Sequence, residues 1–174
     1  LCVAVGNALL YNHRCRRFSR LDGLTMLLNR TQYEKDLERI KPPAVIINMD
    51  VDDFKQINDT SGHAAGDYYL RQIAEVIRTV YGRHGDCYRY GGDEFSLILT
   101  KNLHQMEKLN GMFEAALGQL REQDPKMPMV SLGYALYEGG IEALYATIEK
   151  ADAMMYRNKK VNDRAEIVEN AAEF

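Results

Sequence analysis

What this 174-residue sequence lacks already narrows its function. Its only cysteines are Cys2, Cys15 and Cys87, an odd number without CxxC spacing, so neither a disulfide framework nor a structural zinc site is indicated. A reducing, cytosolic setting fits. Basic charge is not in excess either: 22 Lys and Arg stand against 25 Asp and Glu, for a net charge of -3. The broad cationic surface that nucleic acid needs is missing, and an anionic ligand must be met locally. Repeats and low-complexity tracts are absent, and no apolar run reaches the about 20 residues that cross a bilayer. What is there is 46% apolar residues, enough for one domain with a sizeable core.

The chain begins at Leu1 rather than Met, as a piece cut from a longer protein would. Residues 1–11 are largely apolar and are followed by His13, Arg14, Arg16, Arg17 and Arg20, the pattern expected where a membrane helix emerges on the cytoplasmic side. Eleven residues cannot span a bilayer. A second reading sets Leu1, Ala4, Ala8, Tyr11, Cys15 and Phe18 on a 3-4 heptad seam, giving a short parallel coiled-coil stalk over residues 1–20. The stalk is preferred, and both hold if it continues from a membrane helix. The remainder is then a cytoplasmic domain, one that a membrane helix could anchor.

Alternating strands and helices are expected beyond the stalk. Asp22–Thr25 reads as a helix start that leads into an amphipathic stretch through Leu37 and stops before Pro42 and Pro43. Ala44–Met49 is a short, β-branched apolar run and reads as a buried central strand. Tyr69, Ile73, Val76, Ile77 and Val80 recur at helical spacing, which predicts a helix over 64–81. Two β-prone runs, Cys87–Tyr90 and Phe95–Leu99, flank Gly91-Gly92 and signal a hairpin. Helices follow over 103–122 and 141–159, with strands over 129–136 and 165–168. The pattern implies an α+β fold, with helices on a mixed central sheet.

Chemistry concentrates at two turns. The first central strand runs into Asp50-Val51-Asp52-Asp53-Phe54-Lys55, and the hairpin tip carries Asp93-Glu94. Like charges at 4 Å repel by about 1 kcal/mol in water and about 4 kcal/mol at an effective dielectric of 20. If the two turns are neighbours, the cluster needs a cation, and its oxygen ligands suit Mg²⁺. An Asp-rich turn by itself is more often a solvated helix cap. An EF-hand does not fit, because Phe54 and Lys55 stand where a further oxygen ligand and a glycine belong.

Five segments then coincide with one family. They are Asp22-Gly23-Leu24-Thr25; Asp50 through Asp59; Gly62-His63-Ala64-Ala65-Gly66-Asp67; Arg89-Tyr90-Gly91-Gly92-Asp93-Glu94-Phe95; and Ala151 through Tyr156. In order and spacing they resemble GGDEF domains, the diguanylate cyclases of bacterial signalling, over about Leu21 to Val168. The resemblance assigns residues 21–174 to one such domain. It implies a fold like the nucleotidyl cyclase and polymerase palm, with the signature on a β-hairpin. It further implies condensation of two GTP into cyclic di-GMP and two pyrophosphates by a dimer of domains at the output end of a larger signalling protein. An upstream sensor or membrane segment would control it. The alternative is a catalytically silent GGDEF module that binds GTP or a partner and relays a signal.

The same resemblance assigns roles. Asp50, the Val51 carbonyl, Asp93 and Glu94 would hold two Mg²⁺, with Mn²⁺ as the substitute, and Asp93 and Glu94 would be catalytic. Asn58 and Asp67 would read the guanine edge, Lys55 and Lys159 would contact phosphates, and Phe54, Gly91 and Gly92 would complete the nucleotide site. The guanine assignment also makes chemical sense, since a carboxylate accepts from N1 and N2 hydrogens that adenine does not present. His63 is expected to position the loop before its helix, and Met154, Met155 and Tyr156 to lie in the core.

Three departures from the family stand out. An RxxD inhibitory product site would put its Asp six positions before the first signature glycine, but Asp86 of Arg83-His84-Gly85-Asp86 lies five before Gly91. After the phosphate lysine the family usually has Gly-Arg, whereas Asn162-Asp163 stand here and Arg164 comes one residue late. A carboxylate there would weaken GTP binding. Met26 stands where glycine is common, a structural and mild change.

Overall fold

The structure is a computed structural model that describes residues 20–172, with side chains as far as Asn162. The expected stalk, Arg20 apart, lies outside the described residues, as do Cys2 and Cys15. Cys87 is buried and free. Among the described residues, no helix is long and apolar enough to cross a membrane.

The strands are β1 (Leu28–Asn29), β2 (Ala44–Val51), β3 (Gly85–Arg89), β4 (Glu94–Leu99) and β5 (Val130–Tyr137). They form one mixed sheet in the order β1-β3-β4-β2-β5. The helices are α1 (Arg30–Leu37), α2 (Phe54–Ser61), α3 (His63–Tyr81), α4 (Met106–Gln123) and α5 (Ile141–Ala172), with a 3-10 turn at Leu103–Gln105. The expected α+β architecture is thus present.

β2 is central and buried on both faces, which is why its sequence is a continuous apolar run. Val45, Ile47, Met49 and Val51 enter the main core with Ile73, Ile77, Phe95, Leu97, Phe113 and Leu117, under α3 and α4. The opposite face meets α1 and α5. There Tyr33, Tyr88 and Ile98 form a smaller cluster, with the Tyr33 and Tyr88 rings edge to face at 5.2 Å. α3 buries Tyr69, Leu70, Ile73, Ala74, Ile77 and Val80, an apolar stripe at helical spacing.

α5 crosses β5 at Gly133, where a Cβ would overlap the Ala151 carbonyl and the Met155 backbone. The helix is therefore seated on the strand backbone itself.

Three sequence expectations need correction. No helix begins at Asp22. Its carboxylate does accept the Thr25 backbone N–H, at 2.8 Å, much as a helix cap would. Met26, however, turns into the left-handed region at φ 59°, and Leu28 and Asn29 pair in parallel with Tyr88 and Arg89. Asn29 is the true cap, accepting from the Gln32 N–H at 3.0 Å.

Second, Phe54 and Lys55, read as part of a turn, open the helix α2 over Phe54–Ser61. Third, the strand expected over 165–168 is absent, because α5 continues to Ala172. No glycine or proline interrupts residues 141–172.

Met26 supplies a stability prediction. Left-handed backbone costs a residue with a Cβ about 1–2 kcal/mol, and the Met26 side chain recovers little because the residue is 50% exposed. Met26→Gly should stabilise the domain by about 1 kcal/mol net of the entropy that glycine loses. Urea unfolding with an unchanged slope would show it; a lower midpoint would refute it.

Candidate functional site

The acidic end of β2 and the signature turn lie side by side. β2 and β4 pair antiparallel with Asp50 opposite Glu94, and the Val51 N–H donates to the Asp93 carbonyl at 3.1 Å. On its other side Asp50 faces Ser131 of β5. Residues directly opposite in such pairs project to the same face. A row of Ser131, Asp50 and Glu94 results, and α5 lies over that face.

The hairpin expected around Gly91-Gly92 is present, its two strands pairing antiparallel. Its turn spans Tyr90–Asp93, and the Glu94 carbonyl accepts from both Tyr90 and Gly91, at 2.9 and 3.2 Å. Neither signature glycine adopts positive φ. Gly91 serves space, since a Cβ would overlap the Glu94 carboxylate, whereas around Gly92 nothing lies within 4 Å. Arg89 fastens the turn: Nη2 and Nε reach the Gly92 carbonyl at 2.7 and 3.2 Å, and Nη1 pairs with Asp22 Oδ1 at 3.1 Å. The Asp22 motif thus acts on the signature turn through Arg89, a link that no local pattern in the sequence announces.

Negative charge accumulates here. Burial, then the charges of Asp93, Asp50 and Asp152, push the Glu94 carboxyl above its ordinary value, with Arg30 opposing. Lys159 Nζ donates to Asp50 Oδ1. Burial would lower the Lys159 pKa, but that hydrogen bond and the Asp50, Asp52 and Asp93 charges raise it overall.

Among the described residues no three acidic, His or Cys side chains stand preassembled around a metal position. Even so, the donors are all oxygen, and a single ammonium answers several carboxylates. That chemistry fits Mg²⁺, which needs few protein carboxylates and takes its other ligands from water and phosphate. Asp50, the Val51 carbonyl, Asp93 and Glu94 could hold it.

The remaining sequence candidates sit on α2 and α3. Phe54 is half-buried against the core, Lys55 is exposed in the first turn of α2, and Asn58 is half-buried. Gly66 admits Asn58: a Cβ on it would overlap Asn58 Oδ1. Asp67, next in the chain, is half-buried on α3. His63 is the exposed first residue of α3. Met154 and Met155 are half-buried, while Tyr156 is 58% exposed and carries Lys160 Nζ 4.5 Å from its ring centroid. Tyr156 is therefore not a core residue. Arg83 lies in the turn after α3 and Asp86 in β3 opposite Ile98.

Several site neighbours escaped the sequence reading. Asp52, 5% exposed, accepts Ser131 Oγ at 2.8 and 2.9 Å and Asn162 Nδ2 at 2.9 Å. Asn48 donates to Asp152 Oδ1 at 2.6 Å and accepts from Ser96 Oγ at 3.0 Å. A signal for the latter existed, since an amide inside an apolar central strand must be hydrogen-bonded. Arg30 lies 4.7 Å from the Tyr90 ring centroid, beside the turn.

Known proteins resemble this chain in sequence and in fold. The family described as diguanylate cyclase, GGDEF domain, matches residues 19–164. Diguanylate cyclase DgcS of Shewanella oneidensis is 32% identical over 162 residues, which cover 88% of this chain and 53% of that protein. Cyclic di-GMP phosphodiesterase PdeB of the same organism is 37% identical over 93 residues, 52% of this chain and 11% of PdeB. Among solved structures, the coiled coil and GGDEF domain of DgcB from Caulobacter crescentus, in complex with c-di-GMP, is similar with a TM-score of 0.77 at 27% identity. The similarity covers 91% of this chain and 90% of that one. The chain thus spans about half the length of DgcS.

Proposed function

Since this chain belongs to the GGDEF diguanylate cyclase domain family, we propose that it condenses two GTP into cyclic di-GMP and two pyrophosphates. One observation carries the reading. The Val51 to Asp93 hydrogen bond and the Asp50–Glu94 pairing bring two separate acidic segments to one point beside an open glycine turn.

In this reading the guanine edge meets Asn58 and Asp67, and the nucleotide lies across Gly91 and Gly92, where side chains would intrude. Lys55 and Lys159 take the phosphates, which requires Lys159 to leave Asp50. Asp50, the Val51 carbonyl, Asp93 and Glu94 hold two Mg²⁺, with Mn²⁺ as the substitute. When bound, the metal supplies Lewis acidity and charge neutralisation at the phosphates. Asp93 accepts the proton of the 3′-hydroxyl that attacks the α-phosphorus of the second GTP. With one GTP per domain, two copies must meet face to face. Residues 1–20, as a coiled-coil stalk, would set how often they do, under an upstream sensor or membrane segment.

A second reading, a GTP-binding relay without turnover, draws on Asn162 and Asp163, which stand where the family has Gly-Arg. Incubation of the dimeric protein with GTP and Mg²⁺, followed by nucleotide separation, decides between them. Cyclic di-GMP is expected. Its absence from a dimer that binds GTP would favour the relay.

A further inference from the structure

α5 meets the end of β2 at two points one helical turn apart. Lys159 reaches Asp50, and Asn162 Nδ2 donates to Asp52 Oδ2 at 2.9 Å and to Ser131 Oγ at 3.1 Å. Residues i and i+3 rise about 4.5 Å along a helix, and the two carboxylates met there are Asp50 near the end of β2 and Asp52 in the turn just past it. A long lysine and a short asparagine each meet one of them. Four residues before Asn162, Asn158 Nδ2 donates to the Leu132 carbonyl at 2.7 Å, so Asn158 and Asn162 grip the sheet on either side of Lys159. Lys160 is not part of this contact, because its Nζ lies over Tyr156.

The grip exists because the helix does not stop. At Asn162, α5 carries an amide down onto a carboxylate that is nearly fully buried. Asp52 and Ser131 already bond one another, so the amide's addition is to tie the helix to them.

We propose that Asn162 is a positioning residue for nucleotide binding: its clasp on Asp52 and Ser131 fixes the turn of α5 that presents Lys159 to the phosphates. This rests on the reading of Lys159 as a phosphate ligand. The departure from the family pattern is then a substitute anchor, not damage to the site.

Binding of 3′-deoxy-GTP with Mg²⁺, measured by calorimetry, tests the proposal without turnover. Lys159→Ala should weaken affinity about tenfold and Asn162→Ala by about three- to tenfold, while in the Lys159→Ala background Asn162→Ala should cost less than about twofold. With GTP itself, Asn162→Ala should raise KM more than it lowers kcat. An undiminished loss in the Lys159→Ala background would reduce Asn162 to a general structural role and overturn the proposal, as would parent-like affinity of Asn162→Ala. An inert Lys159→Ala would instead sink the phosphate role of Lys159, and the proposal with it. If Asn162→Ala does not fold, the exchange Asp52→Asn with Asn162→Asp remakes the bond in reverse at unchanged net charge. It should restore affinity to within about twofold of the parent, and failure to do so counts against the clasp.

Discussion

Asp93→Asn is expected to reduce cyclic di-GMP formation by about 10³-fold, the scale of losing a charged group that acts on the reacting atoms. The fold should survive. What Asp93 contributes to it is the backbone carbonyl that accepts the Val51 N–H, and asparagine keeps that carbonyl. The lost charge also relieves Glu94, whose carboxyl Asp93 helps to push up. Nucleotide chromatography and a thermal melt check the two halves. Residual turnover near the parent's would remove Asp93 from the mechanism, and a collapse in melting temperature would show that the side chain is structural.

The other large effect concerns base choice. Asp67→Ala should erase much of the preference for GTP over ATP, because a guanine hydrogen left without its acceptor costs about 1–3 kcal/mol, or about 5- to 150-fold. Gly66→Ala should do the same while leaving Asn58 and Asp67 themselves in place. A methyl there would occupy the position of Asn58 Oδ1, the far end of a mobile side chain, so the amide yields before the helices part. Competition titration of GTP against ATP reads both variants. Unchanged selectivity in Asp67→Ala would remove the guanine assignment, and unchanged selectivity in Gly66→Ala alone would show that Asn58 is dispensable to it.

Much of the fold could be read from the chain because the strongest signals were local. The apolar run of β2 and the stripe Tyr69–Val80 each admit one structure. The failures share a cause, which is competition settled at a distance. Asp22 caps a turn as it would a helix, but pairing of Leu28 with Tyr88 draws the following residues into the sheet. α2 is only 8 residues long, has only Phe54 and Ile57 as apolar contacts and buries no residue, too short a stripe to declare itself.

At the candidate site, the segments that converge were legible as motifs, while the groups that hold them were not. Arg89 joins Asp22 to Gly92, Asn162 joins α5 to Asp52, and Asn48 joins the sheet to Asp152, over separations of up to 110 residues. Those ties appear only once the chain has folded.

Gly133 has a consequence for how this sequence can vary. Because the backbones of β5 and α5 touch there, any added carbon must lever aside the helix that carries Lys159 and Asn162. Saturation mutagenesis selected for nucleotide binding should return glycine alone at that codon, while exposed positions such as Tyr145 or Ile141 on the same helix drift freely.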